Sequence, residues 1–227
     1  MFRKLDPWAG KLNTWLYLKV TPYVPFTALN TALWKLDKSA LSILDVGCGK
    51  GRTARSLRKR GHSLVGIDTF YPCIVECRKT GQYSALVLGD VRSLPFKAKS
   101  FDVVWCLEVL EHQNKEEGLR LIKELETIGR RQVILSTPVG FYPRRQPDNL
   151  YEEHRSAWTQ DELKQLGYRV YGHGHKIWRG KIEFDSRFSS FLKPFIFVLW
   201  VLPGPFVYFA PQWSSDMVAV KWLEDNK

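Results

Sequence analysis

Residues 43–51, Ile-Leu-Asp-Val-Gly-Cys-Gly-Lys-Gly, constrain this chain more than any other stretch. An apolar run ends in an acid, and glycines follow at every second position before a helical segment. This is how a buried parallel strand turns into a helix while its backbone presses against a ligand. Glycine is required where a β-carbon would strike that ligand or where φ must be positive. The N–H groups that open the next helix then face a polar or anionic group. Such a loop takes a nucleotide-like small molecule. The dinucleotide pattern Gly-x-Gly-x-x-Gly is not met, because the third glycine, Gly51, comes one residue early and Arg52 follows it. No Gly-Lys-Ser/Thr follows either, which excludes a P-loop.

From Ser42 onward apolar runs alternate with helical stretches, the pattern of a doubly wound α/β sheet. The first strand is expected to end at Asp45, with its helix over Gly51 to Arg60. A second strand, His62 to Asp68, and a third, Ala85 to Asp90, each close on an acid. Carboxylates at three strand ends along one sheet edge are costly to bury without partners, so they mark a ligand cleft rather than packing. The acid ending the second strand is placed to accept hydrogen bonds from both ribose hydroxyls of a nucleoside. The fourth strand, Phe101 to Cys106, runs into Leu107 to His112. A helix is predicted over Lys115 to Ile128, capped by Asn114 with Glu117 and ended by Gly129. Val133 to Pro138 is the fifth strand, and Thr159 to Glu162 reads as the capping box of a short helix ending at Gly167. Tyr168 to Gly172 and Met217 to Leu223 are the last two strands.

The loop with Asp45, Gly47, Gly49 and Gly51, followed by Asp68 and Asp90, resembles motif I and the next two strand ends of the class I S-adenosylmethionine-dependent methyltransferases. The resemblance covers residues 42–177 and 216–224. It implies a Rossmann-like, doubly wound, mostly parallel seven-stranded sheet with an antiparallel last strand, and S-adenosylmethionine as cofactor. The cofactor site it implies is Asp45, Gly47, Cys48, Gly49, Gly51, Asp68, Thr69, Phe70, Asp90, Val91, Cys106, Leu107 and Glu108. Asp68 would hold the ribose, Phe70 and Tyr71 would lie against adenine, and Asp90 would receive the adenine amino group.

Glu108-Val-Leu-Glu111-His112 is the second informative stretch. If helical, it sets Glu108, Glu111 and His112 at i, i+3 and i+4 on one face. Two carboxylates and an imidazole there suit a divalent metal or an acid/base pair. The E-x-x-E-H pattern is similar to two metal-dependent branches of the family, the O-methyltransferases of ubiquinone biosynthesis and the 2′-O-methyltransferases of small-RNA 3′ ends. In the RNA branch a histidine follows a Ser-Thr-Pro strand end, and here Ser136 to Pro138 is followed by His154. The expected metal set is therefore Glu108, Glu111, His112 and His154 with magnesium or manganese. The competing reading gives Glu108 to the cofactor's ammonium and His112 to the pocket wall. The expected catalytic residues are His154, His112 and Glu111, a histidine serving as base.

A net charge of +11 favours an anionic partner, nucleic acid or acidic membrane. The 4 cysteines form no disulfide framework and no zinc pattern, so reduced thiols and a cytoplasmic setting are expected, with no signal peptide at the N-terminus. Residues 1–40, with Trp8, Trp15, Tyr17 and Tyr23, read as an N-terminal helical cap, and 41–227 as one catalytic domain with an apolar insertion at 178–215. No charged residue occurs from Pro194 to Ser215, and Pro203-Gly-Pro205 breaks the run short of a span. One reading seats residues 187–213 on the inner face of a membrane, with Trp200, Tyr208 and Trp213 at headgroup depth and Arg179, Lys181, Arg187 and Lys193 on anionic lipid. The other makes the insertion a sheet cover, dimer face or apolar substrate tunnel. The expected acceptor is accordingly a small apolar or lipid-linked molecule methylated on oxygen, with RNA 2′-O-methylation and a non-catalytic cofactor-binding scaffold as the alternatives.

Overall fold

The computed structural model describes residues 26–58, 61–144, 149–176 and 204–223. The expected cap through residue 25, and the insertion over 177–203 with Trp200 and its four basic residues, lie outside them. Among the described residues seven strands form one sheet: β1 (Ser42–Val46), β2 (Ser63–Asp68), β3 (Ala85–Leu88), β4 (Phe101–Leu107), β5 (Gly129–Pro138), β6 (Arg169–His175) and β7 (Ser214–Trp222). Their order is β3-β2-β1-β4-β5-β7-β6. The first five strands pair in parallel, and β7 runs antiparallel to both β5 and β6.

Helices α1 (Ala28–Lys35), α2 (Ala54–Arg58), α3 (Tyr71–Lys79), α4 (Lys115–Ile128), α5 (Gln160–Gln165) and α6 (Gly204–Phe209) cover this sheet. The two-residue period of the strands divides the core. Leu44, Val104, Cys106, Val133 and Leu135 meet α4 and α5 through Leu121, Ile122, Leu125 and Leu163. Their neighbours Ile43, Val103, Trp105 and Ile134 meet α1 and α2 through Ala32, Leu33, Ala54 and Leu57. A central strand buried on both sides is apolar along its run, as β4 is from Val103 to Cys106, and its one buried acid, Asp102, is satisfied by Leu41 N, Ser42 N and Arg130. Each such leucine taken from water contributes about 1.5–3 kcal/mol.

Both predicted capping boxes form. Asn114 Oδ1 accepts from Glu117 N at 2.9 Å and Thr159 Oγ1 accepts from Glu162 N at 3.3 Å, with each glutamate reaching back to its cap. Helix α4 has the predicted bounds. Two other expectations shift. Helix α2 begins at Ala54 rather than Gly51, because Gly51 adopts φ +72°, which an α-helix excludes. Strand β3 stops at Leu88, so Asp90 lies two residues beyond it in a turn closed by Ser93 N on Asp90 O at 3.1 Å. The strand order reverses between β1 and β4. The loops leaving these two strands therefore diverge into the crevice where such sheets bind ligands.

Candidate functional site

The glycine loop is stitched to the end of β2. Gly47 N and Cys48 N both donate to Ile67 O, at 2.8 and 3.0 Å, and Gly49 N donates to Asp68 Oδ2 at 2.8 Å. Phe70 N donates to the other Asp68 oxygen at 2.8 Å. Asp68 thus joins both sides of the cleft, and burial raises its carboxyl above the usual value despite these donors. Gly47 has φ +70°, and a β-carbon there would lie 2.4 Å from Val109 Cγ2. No other residue fits.

Asp45 is buried at the end of β1, where Oδ2 accepts from Tyr83 Oη at 2.6 Å and Thr53 Oγ1 at 3.2 Å. Burial pushes its carboxyl up to about 6. Thr69 and Phe70 follow β2, and the Phe70 ring lies 6.5 Å from that of Tyr151. Asp90, expected to meet adenine, pairs with Arg92, whose Nε lies 3.0 Å from each carboxylate oxygen. That guanidinium holds Asp90 below the usual carboxylate range. Val91 and Cys106 are buried in the core. Leu107, one residue on, turns to the opposite face.

The expected common face of Glu108, Glu111 and His112 does not form. Glu108 sits in the left-handed region at φ +56°, and only Leu110–His112 makes a 3₁₀ turn. Ser136 fixes Glu108 from β5: its Oγ donates to Glu108 Oε1 at 2.6 Å, and Glu108 N donates to Ser136 O at 3.0 Å. The tight ligand set among the described residues is Glu111, His112 and His154, each offering one atom within 4.8 Å of the others. Glu108 is not in it. Glu108 is one of three non-glycine residues at positive φ among the described residues, with Phe26 and Lys99.

Glu111 is 2% exposed, with Oε2 accepting from Thr137 Oγ1 at 2.9 Å. Burial first, and then the charges of Glu108 and Asp216, raise its carboxyl well above the usual value. His112 Nδ1 lies 3.2 Å from Glu153 O, and His154 Nδ1 lies 2.7 Å from Tyr142 O. A carbonyl only accepts, so each Nδ1 carries a proton. Burial lowers His112 to about 4, which keeps it neutral. The His154 segment is fastened to the same turn. Arg155 N and Ser156 N donate to Glu111 O at 2.7 and 3.1 Å, and Ser156 Oγ donates to Leu110 O at 3.2 Å. Trp158, fully buried, donates Nε1 to Ser156 Oγ at 3.0 Å and lies against Gly118 of α4. Sequence reasoning missed Thr137, Tyr83 and Arg92. Thr137 was visible inside the Ser-Thr-Pro strand end, whereas nothing near Tyr83 or Arg92 signals their partners.

A methyltransferase-domain family model matches residues 44–136. The ubiquinone biosynthesis O-methyltransferase of Xanthomonas oryzae pv. oryzae is 32% identical over 216 residues, covering 81% of this chain and 89% of that protein. Two solved structures share the fold at lower identity. Magnesium protoporphyrin IX methyltransferase from Synechocystis PCC 6803 with bound S-adenosylmethionine matches at TM-score 0.54 and 19% identity, over 97% of this chain and 86% of that one. An S-adenosylmethionine-dependent methyltransferase from Thermotoga maritima matches at TM-score 0.60 and 15% identity, over 95% of each chain.

Proposed function

The chain belongs to the class I S-adenosylmethionine-dependent methyltransferases, related to the ubiquinone biosynthesis O-methyltransferases, and from that premise we propose that it methylates a hydroxyl of a small apolar or lipid-linked acceptor beside a metal site. The observation that carries the reading is the convergence of Glu111, His112 and His154 within 4.8 Å at the cofactor cleft.

These residues fit a divalent cation on their own chemistry. Both imidazoles are fixed by backbone carbonyls in the tautomer that presents Nε2, the support that metal-ligating histidines ordinarily have. Glu111 is a buried carboxylate whose charge is disfavoured by its surroundings, so a cation would relieve the cost of ionising it. One carboxylate oxygen with two imidazole nitrogens suits manganese better than magnesium, which prefers oxygen ligands throughout. A bound cation would lower the pKa of an acceptor hydroxyl and orient it.

The chain's own residues do the rest. The loop from Gly47 to Gly51, with Asp68, positions the sulfonium donor. Methyl transfer is a direct displacement in which alignment supplies most of the rate, so closely packed positioning groups matter more than a covalent nucleophile. With Nδ1 protonated on Glu153 O and Nε2 on the cation, His112 would have no lone pair left for the acceptor's proton, so acidification of the hydroxyl by the cation would stand in for a general base. Tyr71, Phe141, Leu150 and Tyr151, on the segments that follow β2 and β5, are each more than half exposed, apolar surface that suits an acceptor of the same character. Phe206, Phe209 and Trp213, 58%, 81% and 52% exposed, support contact with a membrane surface next to the insertion. Among the described residues no helix is long and apolar enough to cross a membrane.

The test is transfer of radiolabelled methyl from S-adenosylmethionine to a detergent-dispersed lipid extract and, separately, to total RNA. Label in the organic phase, lost with EDTA and restored by manganese, is the expected result. Label in RNA alone would replace this reading with the RNA one.

A further inference from the structure

We propose that Cys48 and Cys77 are an oxidisable dithiol built into the cofactor loop, where a hydroperoxide closes a disulfide that weakens cofactor binding. All 4 cysteines are free thiols, but only these two meet. Cys77 Sγ donates to Cys48 Sγ at 4.0 Å, and the pair packs with Ile74 in a small cluster apart from the main core. Cys48 sits between Gly47 and Gly49, in the loop that faces the sulfonium donor. Cys77 stands in the last turn of α3.

A disulfide needs the sulfurs about 2.05 Å apart, so closure requires an approach of about 2 Å. The partner that yields is the loop, because Cys48 has a glycine on each side while Cys77 is held in a regular helix. Moving Cys48 toward α3 strains its bond to Ile67 O and the neighbouring bond from Gly49 N to Asp68. Those bonds shape the floor of the cofactor site. Disulfide formation therefore acts on cofactor affinity directly.

The chemistry balances with hydrogen peroxide as oxidant. One thiolate attacks the peroxide O–O bond, giving a sulfenic acid and releasing water. The second thiol then displaces hydroxide from that sulfur, forming the S–S bond and a second water. The two thiols lose two electrons and two protons, and the peroxide takes them. As a thiolate Cys77 would accept from Cys48 the hydrogen bond that it donates as a thiol, which holds it below the ordinary cysteine value, and the thiolate is the attacking species. Cys77 is fully buried and Cys48 only 5% exposed, so a peroxide reaches the attacking thiolate when the glycine-flanked loop opens, a motion that bound cofactor would oppose.

The experiment treats the full chain with hydrogen peroxide, alkylates the remaining thiols, maps the peptides and titrates S-adenosylhomocysteine by calorimetry. A Cys48–Cys77 cross-link is expected, forming more slowly when S-adenosylhomocysteine is saturating. The oxidised protein should bind S-adenosylhomocysteine about tenfold or more weakly, with affinity restored by dithiothreitol. Cys77→Ser should keep its affinity through peroxide treatment, and Cys77→Ala serves if the serine variant fails to fold. The proposal is overturned if both thiols remain alkylatable, if Cys73 and Cys77 pair instead, or if the Cys77 variants lose affinity as the wild type does. A reduced wild-type protein that cross-links but never binds S-adenosylhomocysteine would overturn the coupling to cofactor and, separately, the placement of the cofactor on this loop.

Discussion

His112 and His154 meet edge to face, their ring centroids 5.0 Å apart and their planes at 69°, although the carbonyl that orients His112 is 41 residues away in sequence and the one that orients His154 is 12 away. Each Nδ1 meets a backbone carbonyl, and one ligand atom from each ring lies within 4.8 Å of the other and of a Glu111 oxygen. Two imidazoles and a carboxylate held this way, on the 3₁₀ turn after β4 and the segment after β5, are the set to which the proposed function gives a cation.

Thr137 steadies that site from β5. Thr137→Val keeps the shape of the side chain but removes the hydroxyl that donates to Glu111 Oε2. Manganese affinity, read by calorimetry, should fall about 10- to 100-fold, the usual effect of losing an outer-shell partner. Unchanged affinity would mean that Glu111 needs no such orientation.

Gly118 couples packing to the site. A β-carbon at this position would lie 2.5 Å from Trp158 Cζ2, and Trp158 anchors Ser156 beneath the segment that carries His154. Gly118→Ala should destabilise the protein by about 1–3 kcal/mol through overpacking, seen as a lower denaturation midpoint in urea. It should also weaken manganese binding, which an ordinary overpacking lesion elsewhere in α4 would not do.

Asp45 makes stability depend on pH in a stated direction. Its folded value, about 6, lies above the unfolded one, so the folded state holds the proton longer and stability falls as pH rises through that window. Asp45→Asn has no proton to lose and keeps an oxygen for Tyr83 and Thr53. Between about pH 4 and about pH 8 the cofactor-free variant should gain up to about 3 kcal/mol relative to wild type, the equivalent of roughly two pKa units. Parallel curves for the two proteins would contradict this.

The aromatic face of α6 offers a test of membrane contact. Phe206→Glu with Phe209→Glu removes two exposed rings, one of them 81% exposed, and adds two negative charges. Flotation with anionic vesicles should be lost in this variant while S-adenosylhomocysteine binding persists. Equal flotation of variant and wild type would place the contact elsewhere.

The sheet was legible because its signals are local. Apolar runs ending in acids gave the parallel strands, and the Asn114–Glu117 pair gave the start of α4 within the residue. The glycine loop was legible for the same reason, its positive φ angles being demands that only glycine meets cheaply. Glu108 was not, since helical spacing from Glu108 to His112 assumes a regular helix and the chain breaks that at φ +56°. The Asp90–Arg92 grip was also hidden, because the turn that brings Arg92 back onto Asp90 is a property of the backbone after β3. His154 was placed from its position after the Ser-Thr-Pro strand end, and its contact with His112 depends on the hydrogen bonds from 155 and 156 to Glu111 O, which no periodicity announces.

The central claim is that Glu111, His112 and His154 hold one divalent cation beside the cofactor loop. Electron paramagnetic resonance of free manganese, titrated into chelator-treated protein with S-adenosylhomocysteine present, tests it without knowledge of the acceptor. Wild type should bind one manganese per chain, and Glu111→Gln and His154→Ala should bind it about 100-fold more weakly while still binding S-adenosylhomocysteine. No binding by wild type, or equal binding by the variants, would contradict the account.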